Sequence, residues 1–222
     1  KEMEDIFISH VPDFIILASM TGFFYPEWGI NTLNDWSWET GYQIKTQTGF
    51  GITMTGSKIN PPEVILETGW NLIPVLTPCG AGTDEVFNGM TNLNIVKEVA
   101  GTKVYWPDFG IATLASMDPG KAYWVSMNDA GSFTYPACAK SNYFYEPGKK
   151  PENTTPWNDP DYTAYSHTIV FPASVLGKAG VDIGAKIGVF TQEGYCAGIV
   201  EISDLTKNHA LTAFANDETT IK

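Results

Sequence analysis

Tryptophans are the residues in this chain best suited to touching a ligand. Trp28, Trp36 and Trp38 fall close together, with Glu27 and Asp35 beside them. A flat ring on a rigid β scaffold can stack on the apolar face of a sugar, while neighbouring carboxylates accept bonds from its hydroxyls. These five residues are therefore the candidate ligand-binding set, and the chemistry they suit is glycan binding. The same residue types also build cores. Tyr25 and Trp106, and again Tyr42 and Tyr123, stand 81 residues apart at equivalent positions of a repeat. Recurrence of that kind reads as core packing or loop anchoring. Trp36 and Trp38 stand opposite Met117 and Pro119 and have no such counterparts, which makes them the better candidates for something specific.

Oxygen-rich clusters come second. Asp159 and Asp161, in Asn158-Asp159-Pro160-Asp161, could supply ligands to calcium, as could Asn216-Asp217-Glu218. Neither follows an EF-hand loop, and solvated turns are the better reading, so no cofactor is expected beyond that weak calcium possibility. Cys79 and Cys138 flank one repeat and form a candidate disulfide of the sort an oxidising compartment preserves, although spacing alone does not fix connectivity. Cys196 lies in an apolar stretch and reads as a buried free thiol. Asn153-Thr154-Thr155 matches a glycosylation sequon and reads equally as polar linker.

Signatures of catalysis are missing from the sequence. His10, His167 and His209 are scattered, with no zinc spacing, nucleophile elbow or phosphate loop. Paired carboxylates of the glycosidase type leave no sequence signature, yet a repeated unit is an unlikely host for one unique site. The expectation is a protein that is not an enzyme.

The elements that must position these residues come from a duplication. Tyr25-Pro26-Glu27-Trp28-Gly29-Ile30 matches Trp106-Pro107-Asp108-Phe109-Gly110-Ile111, and Gly41-Tyr42-Gln43-Ile44 matches Ala122-Tyr123-Trp124-Val125. Glu4-Asp5-Ile6-Phe7 matches Asp84-Glu85-Val86-Phe87 within a residue of the same offset. A period this long marks tandem domains. The second copy opens with Gly69-Trp70-Asn71-Leu72-Ile73-Pro74-Val75, for which the first has only Lys1 to Met3, so the reading expects a first copy cut short at its start. Strands are expected at Phe14 to Leu17, Gly22 to Pro26, Gly41 to Lys45 and Gly51 to Gly56, with a short helix within Met3 to His10. Thr83 is the expected N-cap of the matching helix in copy two.

The expected fold class is mostly β: two homologous small β-rich units, each with a short helix, followed by a partial β-sandwich-like module. The expected divisions are a first repeat over 1–60, a second over 61–139, a proline-rich linker over 140–164 and a third β module over 165–222. In that module, 183–190 and 195–202 form a hairpin through Gln192-Glu193-Gly194. With 222 residues, 43% hydrophobic and only 17% charged, the chain can fill packed cores. Its net charge of −12 and pI near 4.5 argue against nucleic-acid partners and anionic membranes. No run approaches the ~18 apolar residues of a membrane span, so no membrane insertion is expected.

The Gly-Trp-Asn-Leu-Ile block, with Val96 to Gly101, Val104-Tyr105-Trp106-Pro107, Gly110-Ile111 and Pro119 to Val125, resembles a repeat of large secreted Bacteroidetes proteins. Such proteins often end in a type IX secretion sorting domain. His167-Thr168-Ile169, Ile187 to Phe190, Gly194 to Gly198 and Ala210 to Phe214 resemble the module that follows it. The resemblance implies secretion to the medium or cell surface and carries no activity with it. Two functions are expected from different classes. One is adhesion to glycan or another surface polymer. The other is a stalk or fibre subunit whose partners are neighbouring copies of itself, with an opening strand donated by a neighbour.

Overall fold

The computed structural model describes residues 2–55, 63–138 and 152–216. In chain order its helices are α1 (Met3–Phe7), α2 (Thr83–Val86) and α3 (Ala173–Lys178), with 3-10 turns over Ile8–Asp13, Pro26–Trp28 and Pro107–Phe109. The first strands are β1 (Phe14–Ala18), β2 (Phe23–Tyr25), β3 (Ile30–Asn31), β4 (Gln43–Thr46), β5 (Glu63–Leu66), β6 (Gly69–Pro74) and β7 (Ala81–Gly82). Then come β8 (Leu93–Glu98), β9 (Val104–Trp106), β10 (Ile111–Ala112), β11 (Ser116–Met117), β12 (Ala122–Met127) and β13 (Gly131–Thr134). The last four are β14 (Ser166–Phe171), β15 (Lys186–Phe190), β16 (Cys196–Glu201) and β17 (His209–Phe214). The protein is mostly β, built from short antiparallel strands with few and short helices. It divides into two compact units, residues 1–93 with 116–143, and residues 94–115 with 144–222.

The first unit starts from the apolar run Phe14-Ile15-Ile16-Leu17-Ala18. Residues of this kind favour a strand, and β1 sits inside a sheet of order β3-β2-β1-β4. Proline ends β2 because it has no N–H for a ladder. One face of the sheet is closed by α1. Met3, Ile6 and Phe7 pack with Phe14, Leu17 and Phe24, and the Phe7 and Phe14 rings stack at 5.1 Å. A five-residue helix cannot hold itself in water, so this packing holds it, with Glu4 and Asp5 favourably placed in its first turn. Elsewhere in the unit β6 and β12 pair over six residues, from Ala122 opposite Pro74 to Met127 opposite Gly69. The short pairs β7–β11 and β5–β13 flank them in sequence. Cys79 and Cys138 are joined in a disulfide with Cα atoms 5.9 Å apart, and the Tyr135 hydroxyl nearby donates to the Pro74 carbonyl at 2.8 Å.

The second unit holds the meander β8-β9-β10, the six-residue ribbon β14–β17 and the hairpin β15–β16. The hairpin turns at Gly194, whose φ of 87° is open to glycine and strained for other residues. Within the stretch read as a linker, 140–151 lie outside the described residues. Beyond them, Asn153 Oδ1 accepts from the Thr155 amide and hydroxyl at 2.9 and 2.7 Å, and its Nδ2 donates to the Trp157 carbonyl at 2.8 Å. Trp157 lies edge-on to Phe190 at 5.2 Å, against the hairpin.

Three local expectations are corrected. Residues 51–55 form no strand, and Ile52 and Met54 are exposed. Alternation provides two faces, but a strand also needs a ladder partner, and no strand among the described residues pairs with this stretch. Thr83 is the first helical residue of α2. Gly82 takes the N-cap position, and the Thr83 hydroxyl is buried without a hydrogen bond among the described residues. α3 was not anticipated, because the acceptor for its Ala173 N–H is Asn208 Oδ1, at 2.9 Å and far along the chain.

The disulfide spans a sequence separation of 59 residues. Constraint of the unfolded chain by a loop that long contributes about 2–4 kcal/mol. A Cys79→Ser, Cys138→Ser double variant is expected to lose that amount in urea unfolding, read as a lower midpoint at an unchanged or larger slope.

Candidate functional site

The tryptophan corner is built from the backbone outward. Pro26 starts a single 3-10 turn with its φ already fixed, and Gly29 closes it in the left-handed region at φ 63° and ψ 28°. The Gly29 amide donates to the Pro26 carbonyl at 3.0 Å. Thr32 then clamps the strand pair, its hydroxyl accepting from the Phe23 amide at 2.9 Å and donating to the Phe23 carbonyl at 3.1 Å. The same geometry recurs 81 residues on. Pro107 starts the turn, Gly110 closes it at φ 61° and ψ 30°, and Thr113 clamps Val104 at 2.9 and 3.1 Å. The tyrosines recur in the same way. Tyr42 accepts from the Ser37 amide and Tyr123 from the Asp118 amide, both at 2.9 Å.

On this frame Trp28 points outward, 69% exposed, with its ring stacked on Tyr25 at 4.9 Å. Glu27 is exposed on the same turn. Trp38 is 43% exposed on the loop before β4. Trp36 is placed differently: it stacks on Tyr42 at 4.5 Å and packs against the α1 core, where its counterpart Met117 is fully buried. Asp35 is exposed and forms an isolated antiparallel bridge with Glu2. It follows Asn34, which takes φ 58° and whose carbonyl accepts from the Met3 amide at 2.8 Å. Glu27 and Trp28 thus share one turn, while Asp35 and Trp36 belong to the segment that ties down α1. Sequence reasoning passed over Trp70, an exposed indole on β6 lying edge-on to Trp124 at 6.2 Å.

In the second unit, Asp159 and Asp161 line a cavity of about 640 Å³ together with Glu193, Thr191, Tyr195 and Asn216. Among the described residues, no group of three or more His, Cys, Asp or Glu side chains is placed to hold a metal ion. The lining offers carboxylates, hydroxyls and one exposed aromatic ring.

The corner of the second copy has another surrounding. Ile95, Val104 and Ile111 are buried in one cluster, against which Trp106, Val170 and Ala210 pack. Asn208 donates to the Phe109 carbonyl at 2.8 Å. Lys97 lies on this face, buried, its Nζ donating to the Ser166 carbonyl at 3.1 Å and hydroxyl at 2.9 Å. Burial holds the Lys97 ammonium below the ordinary lysine range. Burial, with smaller contributions from Asp159 and Glu98, pushes Tyr162 up, and burial with Tyr123 pushes Tyr135 up.

Comparison with protein-family models, with curated proteins and with solved structures finds no match to this chain.

Two outcomes follow from these placements. Trp36→Ala removes a ring packed on the core and is expected to cost roughly 1–3 kcal/mol in thermal or urea unfolding, whereas Trp28→Ala is expected to stay within about 0.5 kcal/mol. The buried lysine gives a pH signature. Its folded pKa is depressed, so between that pKa and 10.5 the unfolded chain holds more protons and stability rises with pH. The raised tyrosines act oppositely above about 10, since the folded chain then holds the extra protons. The unfolding free energy of wild type minus that of Lys97→Met is therefore expected to rise with pH through the alkaline range up to about 10.5. A flat difference would mean that the Lys97 charge is not strained by folding.

Proposed function

We propose that the chain is a non-enzymatic extracellular module of a large secreted or cell-surface bacterial protein, holding glycan or another surface polymer through exposed tryptophans of its first repeat. The observation that carries this reading is the Trp28 ring, 69% exposed and backed by Tyr25 on a turn fixed by Pro26, Gly29 and the Thr32 clamp. A ring held this way loses little freedom when a sugar stacks on it, and the Glu27 carboxylate beside it can accept from sugar hydroxyls. Trp38 supplies a second exposed indole. A disulfide agrees with an oxidising location, and the net charge of −12 keeps such a module off anionic polymers.

A second reading, as a stalk or fibre subunit, draws on the strand edges. β12 pairs with β6, whereas the corresponding strand of the first copy, β4, pairs only with β1 among the described residues. That leaves a slot of the kind a neighbour's strand could fill.

The polymer reading is tested by retention of the purified chain on a panel of insoluble and immobilised polysaccharides. Retention on at least one is expected, with a Trp28→Ala, Trp38→Ala double variant losing it by about 30-fold or more in affinity, as for truncation of a stacking tryptophan. A folded wild-type chain that passes through every polymer unretained would overturn the reading.

A further inference from the structure

The two copies differ in charge around the exposed ring. From Glu2 to Ile44 the first copy carries seven carboxylates and no lysine or arginine. The matching stretch of the second copy, Thr83 to Val125, carries five carboxylates and three lysines. Each of those lysines meets an uncharged residue in the first copy. Ala18 stands for Lys97, matched by their pairing with Phe23 and Val104, and Gly22 and Thr40 stand for Lys103 and Lys121 at the 81-residue offset. Lys121 pairs with Asp118 at 3.2 Å in the loop before β12. The same loop of the first copy holds Trp38 and Glu39 and no cation.

The fold gathers several of these carboxylates at the tryptophan corner. Glu27 is on the turn itself. Glu4 Oε1 accepts from Asn31 Nδ2 at 3.4 Å, where β3 leaves that turn. Glu2 bridges Asp35. All four are exposed, and among the described residues no lysine is paired with Glu27. Crowded like charges repel, and no lysine of this stretch offsets them. The Tyr25–Trp28 stack, at 4.9 Å and 22°, offers the flat face on which a sugar ring can lie, and an indole face also attracts a cation. One kind of ligand unit meets all three features: a sugar ring that carries an ammonium group. A neutral glycan uses the ring and leaves the carboxylates unanswered. A lysine-rich protein answers the charge and has no flat sugar face to stack.

We propose that the polymer held at Trp28 is a cationic glycan built from amino sugars with free amines, a narrowing that rests on the polymer reading. The apolar face of the hexosamine lies on the Trp28 ring. Its ammonium pairs with the Glu27 carboxylate, and Glu2, Glu4 and Asp35 add to the negative field there. N-acetylation of the sugar removes the charge and keeps the ring, so the two contributions are separable.

The test is the affinity of the full chain for polyglucosamine beads and for the same beads fully N-acetylated, at mildly acidic pH and at low and high salt. Cellulose and immobilised polylysine run beside them. Wild type is expected to prefer polyglucosamine over the acetylated form by about tenfold or more, through one ion pair and one ring–cation contact, and the preference is expected to shrink as salt screens the charges. Glu27→Lys is expected to lose at least about fivefold on polyglucosamine and to hold the acetylated form as wild type does. Asp182→Lys makes the same change in net charge on an exposed residue of the third module and is expected to bind polyglucosamine like wild type. Equal affinity for the acetylated beads or cellulose, Glu27→Lys binding like wild type, or Asp182→Lys losing as much as Glu27→Lys overturns this proposal and leaves the polymer reading standing. Retention on polylysine that matches polyglucosamine and survives Trp28→Ala also overturns it, because charge alone then decides. A folded chain retained by no polysaccharide overturns both.

Discussion

A fold assembled from strands of two to six residues has too few ladder bonds to satisfy its own backbone, and that shortage governs this structure. Side chains make up the difference at fixed places. Thr32 and Thr113 each serve both the amide and the carbonyl of the residue that opens β2 or β9. Tyr42 and Tyr123 accept an amide in the loop before their own strand. Asn71 receives the Glu67 amide and returns a bond to its carbonyl, at 2.9 and 2.8 Å. Asn92 donates to the Asp129 and Ala130 carbonyls at 2.9 and 3.0 Å. The Thr113, Tyr42 and Tyr123 bonds are part-buried, and an amide left there without a partner costs about 1–3 kcal/mol, whereas the Thr32, Asn71 and Asn92 bonds are exposed and carry only the modest net strength of a hydrogen bond in water.

This arithmetic explains which residues the two copies share. Proline, glycine, threonine and tyrosine recur where the backbone needs a fixed φ, a left-handed residue, a double acceptor–donor or a long-reaching hydroxyl. Their hydrogen-bonding capacity is committed to the main chain, and little is left for a ligand. The positions that differ are Ala18 against Lys97, matched by their pairing with Phe23 and Val104, and Phe23 against Val104, Trp28 against Phe109 and Trp36 against Met117, matched by the 81-residue offset. Lys97 serves the Ser166 carbonyl of the covering ribbon, whereas Ala18, Phe23, Val104, Phe109 and Met117 have no polar side-chain group to commit to the frame. One copy could therefore take on a covering ribbon and the other an open face without disturbing the fold.

Much of this was legible in the sequence, for physical reasons. The 81-residue offset, the proline that ends β2, the apolar run of β1 and the glycine of the β15–β16 turn are local signals of local structure. What escaped depended on distant partners. The alternation at 51–55 resembles a strand and has no ladder partner among the described residues. α3 begins where a distant asparagine supplies its acceptor. Thr83 looks like a cap because threonine usually caps, yet the chain enters α2 one residue earlier, through Gly82. The candidate site was half legible. That the tryptophans cluster could be read directly. That Trp28 faces solvent while Trp36 lies on Tyr42 could not, because exposure is decided by packing across the sheet.

The two corners differ in how they present their rings. Tyr25 and Trp28 stack face to face at 22°, whereas Trp106 and Phe109 meet at 70°. The backbones beneath these pairs agree within 2° at the closing glycines. Identical turns therefore present their rings differently. The difference lies in ring type and in what adjoins the face: Val170, Ala210 and Asn208 in one case, solvent in the other. A parallel pair offers one broad flat platform and an edge-on pair offers a notch, and only the platform can take the face of a sugar ring. Duplication thus supplied two rigid corners. Covering one of them released the other from any structural duty, and the uncovered corner is where a binding role costs the fold least.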